Sequence, residues 1–289
     1  MEDFNMALFT NKATLSYNGN ITNSNIVTGQ LLEVISATKT AIMSDYLAND
    51  DITYVINIVN SGATAITGLT VTDNLGSYTS GLNQLVPLTY ITGSIHYFIN
   101  GVLQAAPTTV GGPPLVISGI NIPANGNALI VYKANVNQYA PLDTASTIVN
   151  EAEITGSVLS APVSIDETIT IREIPVLTIS KSLSPTTVSE NGQLTYTFTI
   201  ENSGNTEALV TDNIIITDIF NPILNPISVS LNGTSWSDSI NYTYDPLTGL
   251  FATISGQITV PAATYTQDPI NGNWIVNPGV STLVVTGTV

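Results

Sequence analysis

Strict alternation of apolar and polar residues over short stretches most limits what this chain can fold into. Ile52-Thr53-Tyr54-Val55-Ile56-Asn57-Ile58, Gly68-Leu69-Thr70-Val71-Thr72, Leu194-Thr195-Tyr196-Thr197-Phe198-Thr199-Ile200 and Ser281-Thr282-Leu283-Val284-Val285 all follow it. A period of two places alternate side chains on opposite faces of a strand, whereas a helix repeats its apolar face every three to four residues. The runs are rich in Val, Ile, Thr and Tyr and are separated by Asn-Gly, Ser-Gly and Pro, which punctuate turns. No long window combines helical periodicity with helix caps. The pattern predicts an all-β fold of short strands packed as immunoglobulin-like β-sandwiches.

The pattern also repeats. Ile52 to Gly62 aligns with Leu194 to Gly204 at an offset of 142, and each run closes on Asn-Ser-Gly, at Asn60-Ser61-Gly62 and Asn202-Ser203-Gly204. Lys39 and Lys181 share that offset. Thr70-Val71-Thr72-Asp73 matches Ile215-Ile216-Thr217-Asp218, Ile99-Asn100-Gly101 matches Leu231-Asn232-Gly233, and Ile130-Val131-Tyr132 matches Leu283-Val284-Val285. Two tandem copies of one sandwich follow, joined near Arg172 to Pro175.

The copies differ at their ends. After Val136 the first continues through Thr147 to Ile154 and a further strand near Ile165 to Ile171, whereas the second stops at Val289, the position aligned with Val136. The leading segment resembles the lacking piece, because Asn11-x-Ala13-x-Leu15 matches Asn150-x-Ala152-x-Ile154. The expected organisation is a donor-strand segment over 1–34, a complete sandwich over 35–172 and an incomplete, acceptor sandwich over 173–289.

Composition narrows the chemistry. Five Lys+Arg stand against 21 Asp+Glu, for a net charge of −16, with one histidine and no cysteine. Nucleic acid is therefore not an expected partner, since its recognition needs a basic stripe. Disulfides, thiolate nucleophiles and cysteine-based zinc sites are excluded outright. With 9% charged and 43% hydrophobic residues, the chain does not resemble a disordered acidic tail. No apolar run approaches the roughly 18 residues of a membrane span, and Met1 to Ala7 carry no basic segment of a secretory signal.

Three polar residues fall on apolar strand faces. Lys39 is in phase with Ile35 and Ala37, Asp73 with Leu69 and Val71, and Asn150 with Ala152 and Ile154. In the second copy Lys181 follows Leu177 and Ile179, and Asp218 follows Ile214 and Ile216. Isolated buried charges are costly, so these groups should be gathered together. A lysine, an acid and an asparagine in one apolar pocket are the ingredients of a spontaneous isopeptide bond. Desolvation favours the neutral amine, which attacks the asparagine carbonyl while the acid shuttles protons and ammonia leaves. Lys39–Asn150 is the expected intramolecular link, with Asp73 as helper. For Lys181, helped by Asp218, the matching amide is Asn11 of another subunit. Two plainer readings stand beside this one: strand-end lysines with solvated heads and turn-starting aspartates, or a buried hydrogen-bonded cluster without a covalent bond.

A lysine-terminated strand, a Tyr-containing strand running into Asn-Ser-Gly, a Thr-Asp strand end and a late Asn-x-Ala strand together resemble the bacterial surface-protein repeat called domain of unknown function 11. The resemblance implies immunoglobulin-like sandwiches in tandem on a cell surface. A chain of 30.4 kDa with such repeats is also similar to the major proteins of clostridial endospore appendages.

The function expected is therefore structural. An incomplete sandwich exposes strand edges and an apolar groove. The segment from about Ala7 to Val34 of the next subunit would enter it by strand addition, with Phe9, Ala13, Leu15 and Ile26 buried at the contact. Such a contact is head-to-tail and propagates into a filament. The expected partners are further copies of the chain, with other appendage or spore-coat proteins beside them, at an extracellular cell or endospore surface. No cofactor, metal or enzymatic activity beyond self-crosslinking is expected. The alternative is a monomeric adhesin or surface-layer stalk, with residues 7–34 folded back onto their own chain. His96 has no second histidine or cysteine to share a metal, Asn49-Asp50-Asp51 lacks the spacing of a calcium loop, and Gly111-Gly112-Pro113-Pro114 reads as a turn. Trp236 and Trp274 read as packing anchors rather than a glycan platform.

Overall fold

The computed structural model describes residues 6–289, and these are all-β, with one 3-10 turn at Val210–Asp212. A leading arm contains β1 (Met6–Asn11), β2 (Thr14–Tyr17), β3 (Asn20–Asn23) and β4 (Val27–Leu32). Then come β5 (Ile35–Ala41), β6 (Asp45–Tyr46), β7 (Asp51–Asn60), β8 (Ile66–Asp73), β9 (Tyr78–Ser80), β10 (Asn83–Leu85) and β11 (Leu88–Tyr90). They are followed by β12 (His96–Ile99), β13 (Val102–Gln104), β14 (Thr108–Val110), β15 (Leu115–Ile122), β16 (Gly126–Val136), β17 (Thr147–Thr155) and β18 (Val163–Ile171). The remainder holds β19 (Leu177–Ser184), β20 (Gln193–Asn202), β21 (Thr217–Ile219), β22 (Ile227–Leu231) and β23 (Thr234–Trp236). It ends with β24 (Tyr242–Tyr244), β25 (Leu250–Thr253), β26 (Thr264–Gln267), β27 (Trp274–Asn277) and β28 (Gly279–Thr288). Two compact units result, Met1–Ala140 with Ile148–Ile169, and Pro141–Thr147 with Thr170–Val289.

In the first unit, one sheet has the order β13-β12-β16-β7-β5 and the other β14-β15-β8-β17-β18-β6. The inward half of each alternating run fills the space between them: Tyr54, Ile56 and Ile58 from β7, Leu69 and Val71 from β8, Ile117 from β15, Ile130 and Tyr132 from β16 and Ile154 from β17 are all fully buried. In the second unit, the order β19-β20-β28-β22-β23 reproduces β5-β7-β16-β12-β13, and β21-β25-β24 reproduces β8-β15-β14. The registers agree as well: Tyr54 lies opposite Tyr132, and Tyr196 opposite Val285. The repeated Asn-Gly pairs turn alike, with φ of 48° and 78° at Asn100-Gly101 and 49° and 79° at Asn232-Gly233, the left-handed geometry that two-residue hairpins need.

Among the described residues the second unit has no counterpart of β17, β18 and β6, nor of β11 and the β9–β10 hairpin, and it adds the β26–β27 hairpin. Among the described residues, β21 pairs only with β25, so the edge that β17 occupies on β8 is unpaired. The inward face of β19 is exposed. Ile179 and Leu183 on β19 are 57% and 37% exposed, whereas Ala37 and Ala41, at the equivalent positions of β5, are half-buried.

The leading arm pairs with itself, β1 with β4 and β2 with β3, closing on an Asn18-Gly19 turn. Leu8, Phe9, Leu15, Tyr17, Ile21, Ile26 and Val27 are all exposed, so these side chains do not fold back onto the chain. One expectation needs correction here. Asn11-x-Ala13-x-Leu15 is not one continuous strand like β17. The ladder breaks at Lys12-Ala13 because Ser24 takes over: its Oγ accepts from the Ala13 N–H at 2.8 Å and its own N–H donates to the Ala13 carbonyl at 2.9 Å.

The Asn-Ser-Gly motif has a structural cause. Asn60 Nδ2 donates to the carbonyls of Thr64 and Pro123 at 2.9 and 3.0 Å, and Asn202 Nδ2 does the same to Thr206 and Pro261 at 2.8 and 3.0 Å. Each Oδ1 accepts the N–H of the following glycine. These fully buried amides hold the strand ends to neighbouring loops. Asn202→Ala strands two carbonyls and the N–H groups of Val176 and Gly204, and should cost the second unit about 1–3 kcal/mol in a urea melt.

Candidate functional site

The residues predicted to meet do so between the two sheets of the first unit. Lys39 comes from β5, while Asp73 ends β8 and Asn150 lies on β17 of the facing sheet. Lys39 Nζ donates to Asp73 Oδ2 at 2.8 Å, with both side chains fully shielded from solvent. Asp73 Oδ1 accepts the Leu75 N–H at 2.9 Å, which fixes the carboxylate at the start of its turn. Asn150 does not touch Lys39 through a hydrogen bond; it is joined to Asp73 by a residue that sequence reasoning missed. Asn150 Nδ2 donates to Tyr132 Oη at 3.1 Å, and Tyr132 Oη donates to Asp73 Oδ2 in a short hydrogen bond. On the other side of the amide, the Gly76 N–H is shared, donating to Asn74 Oδ1 at 2.8 Å and to Asn150 Oδ1 at 3.2 Å. Gly76 has a φ of +73°, and a Cβ there would come within 2.6 Å of Ile148 Cγ2, so only glycine brings this N–H to the amide.

Burial dominates the electrostatics. It lowers the Lys39 pKa below 10.5, with the Asp73 carboxylate opposing the shift. It raises the Tyr132 phenol, reinforced by the Asp73 charge, and raises Tyr54 as well. Tyr54 stacks on Tyr132 at 5.4 Å between ring centroids and lies 5.2 Å from Lys39 Nζ. The Tyr54 hydroxyl is buried and feels the Asn150 amide, yet forms no hydrogen bond of normal geometry. The cluster thus holds an amine biased towards its neutral form, a carboxylate able to take its proton, and an amide with a donor at its oxygen and a hydroxyl at its nitrogen. Those are the components of transamidation.

The second unit holds half of this site. Lys181 pairs with Asp218 through a short contact, but the two side chains are 37% and 19% exposed. Lys181 Nζ lies 4.3 Å from the centre of the Tyr196 ring and 5.5 Å from that of Phe220. Val285 stands where the first unit has Tyr132, and Asn221 where it has Gly76. Lys181 and Asp218 are thus brought together as expected, and no strand covers the pair among the described residues. Asn11 ends β1 and is exposed, as are Phe9, Ala13, Leu15 and Ile26.

The remaining singled-out residues are structural or solvent-facing. His96 is exposed on β12, with Nδ1 3.1 Å from the Ser94 carbonyl. Asp50 and Asp51 bind the Leu47 N–H and the Asn135 amide. Trp236 packs against the core of the second unit, and Trp274 lies on β27.

No family model matches the chain, and no curated protein matches it in sequence. The resemblance to domain of unknown function 11 and to endospore appendage proteins thus rests on the quoted motifs. Several solved structures are similar in fold. The major pilin subunit BcpA of Bacillus cereus is 11% identical, with 94% of this chain and 73% of that one covered and a TM-score of 0.35. A fragment of the major pilin of Streptococcus agalactiae is 10% identical over 86% and 91%, with a TM-score of 0.33. The collagen-binding domain of a Staphylococcus aureus adhesin is 15% identical over 46% and 96%, with a TM-score of 0.30. The architecture itself stands on the strand order of this chain.

The two lysines should respond differently to removal. Lys39→Met leaves Asp73 charged and buried, and should destabilise the first unit by about 3–5 kcal/mol. Lys181→Met, at a partly solvated pair, should cost the second unit no more than about 1 kcal/mol. Denaturant titration of each variant provides the comparison.

Proposed function

We propose that this protein is a structural subunit of an extracellular filament, a cell- or endospore-surface appendage that grows head-to-tail by donor-strand complementation. The observation that carries this reading is the match between a vacancy and an unused element. The second unit repeats the order β5-β7-β16-β12-β13 and β8-β15-β14 up to the edge of β21, where the first unit has the β17–β18 hairpin. The arm over 6–32 is itself a two-stranded hairpin with exposed apolar side chains. Placed on β21 in the register of β17 on β8, Ala13 lies opposite Asp218 and Leu15 opposite Ile216, as Ala152 and Ile154 lie opposite Asp73 and Val71. Asn11 then takes the place of Asn150, beside Lys181. The Lys12-Ala13 break closes into one strand as β21 replaces Ser24 as the partner.

The same reading assigns covalent locks at both sites, Lys39–Asn150 within each subunit and Lys181–Asn11 between subunits. In each, a C–N bond forms between lysine Nζ and the asparagine Cγ, and the Cγ–Nδ2 bond breaks. The ammonium and the amide yield a secondary amide and an ammonium ion, so atoms and charge balance. Asp73 and Asp218 carry protons between the two nitrogens. Proximity in a folded core supplies much of the acceleration, since each site turns over once. In the first unit the new bond staples facing sheets, and between subunits it resists pulling along the fibre.

Removal of residues 1–34 should give a soluble, folded protein that forms no filaments by electron microscopy, whereas the full chain gives filaments and a ladder of multimers on a boiled denaturing gel. Filaments from the truncated chain would contradict strand donation, and a monodisperse monomer from the full chain would favour the adhesin reading. Lys181→Arg should keep filaments but abolish the ladder. Because burial lowers the Lys39 pKa, formation of the internal bond should quicken as pH rises and reach its plateau at a lower pH than a solvent-exposed lysine would give. Intact mass, one ammonia lighter per bond, follows it.

A further inference from the structure

The hydroxyl of Tyr132 has no counterpart in the second unit and is not needed to fill the core, because Tyr54 stacks on the same ring without using its own hydroxyl. Yet it sits in the middle of an unbroken chain of hydrogen bonds. Lys39 Nζ and Tyr132 Oη both donate to Asp73 Oδ2, and Asn150 Nδ2 donates to Tyr132 Oη at 3.1 Å. Asp73 is bonded to the nucleophile but not to the amide, and the hydrogen-bonded route from Asp73 to the leaving nitrogen runs through Tyr132. Resting on the reading that Lys39 joins Asn150, we propose that Tyr132 is the proton relay of this self-crosslinking reaction, with the Gly76 N–H as the donor to the developing oxyanion.

The steps balance. Asp73 takes a proton from the Lys39 ammonium, and the neutral amine attacks Asn150 Cγ. The oxygen gains negative charge against the Gly76 N–H. Nδ2 loses its amide conjugation and becomes basic, so its hydrogen bond to Tyr132 reverses. Tyr132 Oη gives its proton to Nδ2 and takes one from Asp73. Ammonia leaves, Nζ returns its surplus proton to Asp73, and that proton goes out with ammonia as ammonium. Tyr132 and Asp73 end as they began. A general acid of this kind is worth about 10²–10⁴ in rate.

The second unit offers the contrast. Val285 replaces the relay at the equivalent register, and Lys181 is open to solvent. Proton delivery at the Lys181 site must therefore come from water or from the arriving hairpin, and the intermolecular bond should be indifferent to Tyr132.

The test follows the mass of full-length protein after cell-free synthesis. In Tyr132→Phe, which keeps the ring, internal bond formation should slow at least about 100-fold, while Tyr54→Phe forms it at the wild-type rate and both variants retain the boiled-gel ladder. Wild-type rates in Tyr132→Phe, or equal slowing in both variants, would overturn the relay in favour of shared packing. Should Tyr132→Phe fold poorly by circular dichroism, 3-fluorotyrosine at position 132 keeps the shape and strengthens the acid. The relay then predicts a shifted pH–rate profile, and an unchanged profile contradicts it. A wild-type chain that never loses ammonia overturns the Lys39–Asn150 bond itself, a failure distinct from normal crosslinking without the hydroxyl.

Discussion

A lysine amine enclosed between two β-sheets cannot be left alone. Burying a lone ammonium is prohibitive, so every group within reach of Lys39 must compensate it or react with it. In the first unit the compensation is complete: Asp73 meets the amine, the turn after Asp73 meets the carboxylate, Tyr132 ties the carboxylate to Asn150, and Gly76 closes the amide. That closure requires β17, which carries Asn150 and covers the cluster. The second unit keeps the amine and the carboxylate but lacks the cover, and its pair is correspondingly open to solvent. The contrast between a sealed site and an open copy of it organises the whole reading of the molecule.

An unpaired strand edge beside exposed apolar side chains invites association, and soluble proteins usually blunt such edges. Among the described residues the edge of β21 carries no strand of its own unit, and Ile179 and Leu183 lie exposed on β19. The leading arm presents the reverse condition, a hairpin with its apolar side chains uncovered on both strands. Each would gain by burying apolar surface at roughly 25 cal/mol per Å². Backbone pairing would add specificity of register, because a slip by one residue would turn Asn11 away from Lys181.

Much of this was legible in the sequence. Period-two runs identified the strands, and the phase of Lys39, Asp73 and Asn150 within their runs put them on inward faces before any partner was known. The recurrence at an offset of 142 matched Asn60 with Asn202, and the separate Pro-Gly match paired Gly126 with Gly279, which lie opposite those two asparagines. Tyr132 was not legible, because a tyrosine in an alternating apolar run is ordinarily core, and its role depends on a hydroxyl reaching the other sheet. The one available signal was its replacement by Val285 in the second copy. The break at Lys12-Ala13 was hidden too, since it follows from bonds made by Ser24, eleven residues away. Neither the fixed amide of Asn60 nor the backbone donor of Gly76 could be assigned without the loops that meet them.

The most direct test of strand donation uses the absence of cysteine from the chain. Leu15→Cys and Ile216→Cys, prepared as separate single variants and mixed under mild oxidation, should form a disulfide-linked heterodimer, since directly opposed residues in an antiparallel pair bring their Cβ atoms to about 4.5–5.5 Å. Each variant alone should give no such bond in this register. Efficient heterodimer formation in the mixture, abolished when residues 1–34 are supplied in excess as a peptide, is the predicted result. A mixture that stays monomeric on the gel, or a double variant that closes the bond within one chain, would contradict completion of the second unit by a neighbouring copy.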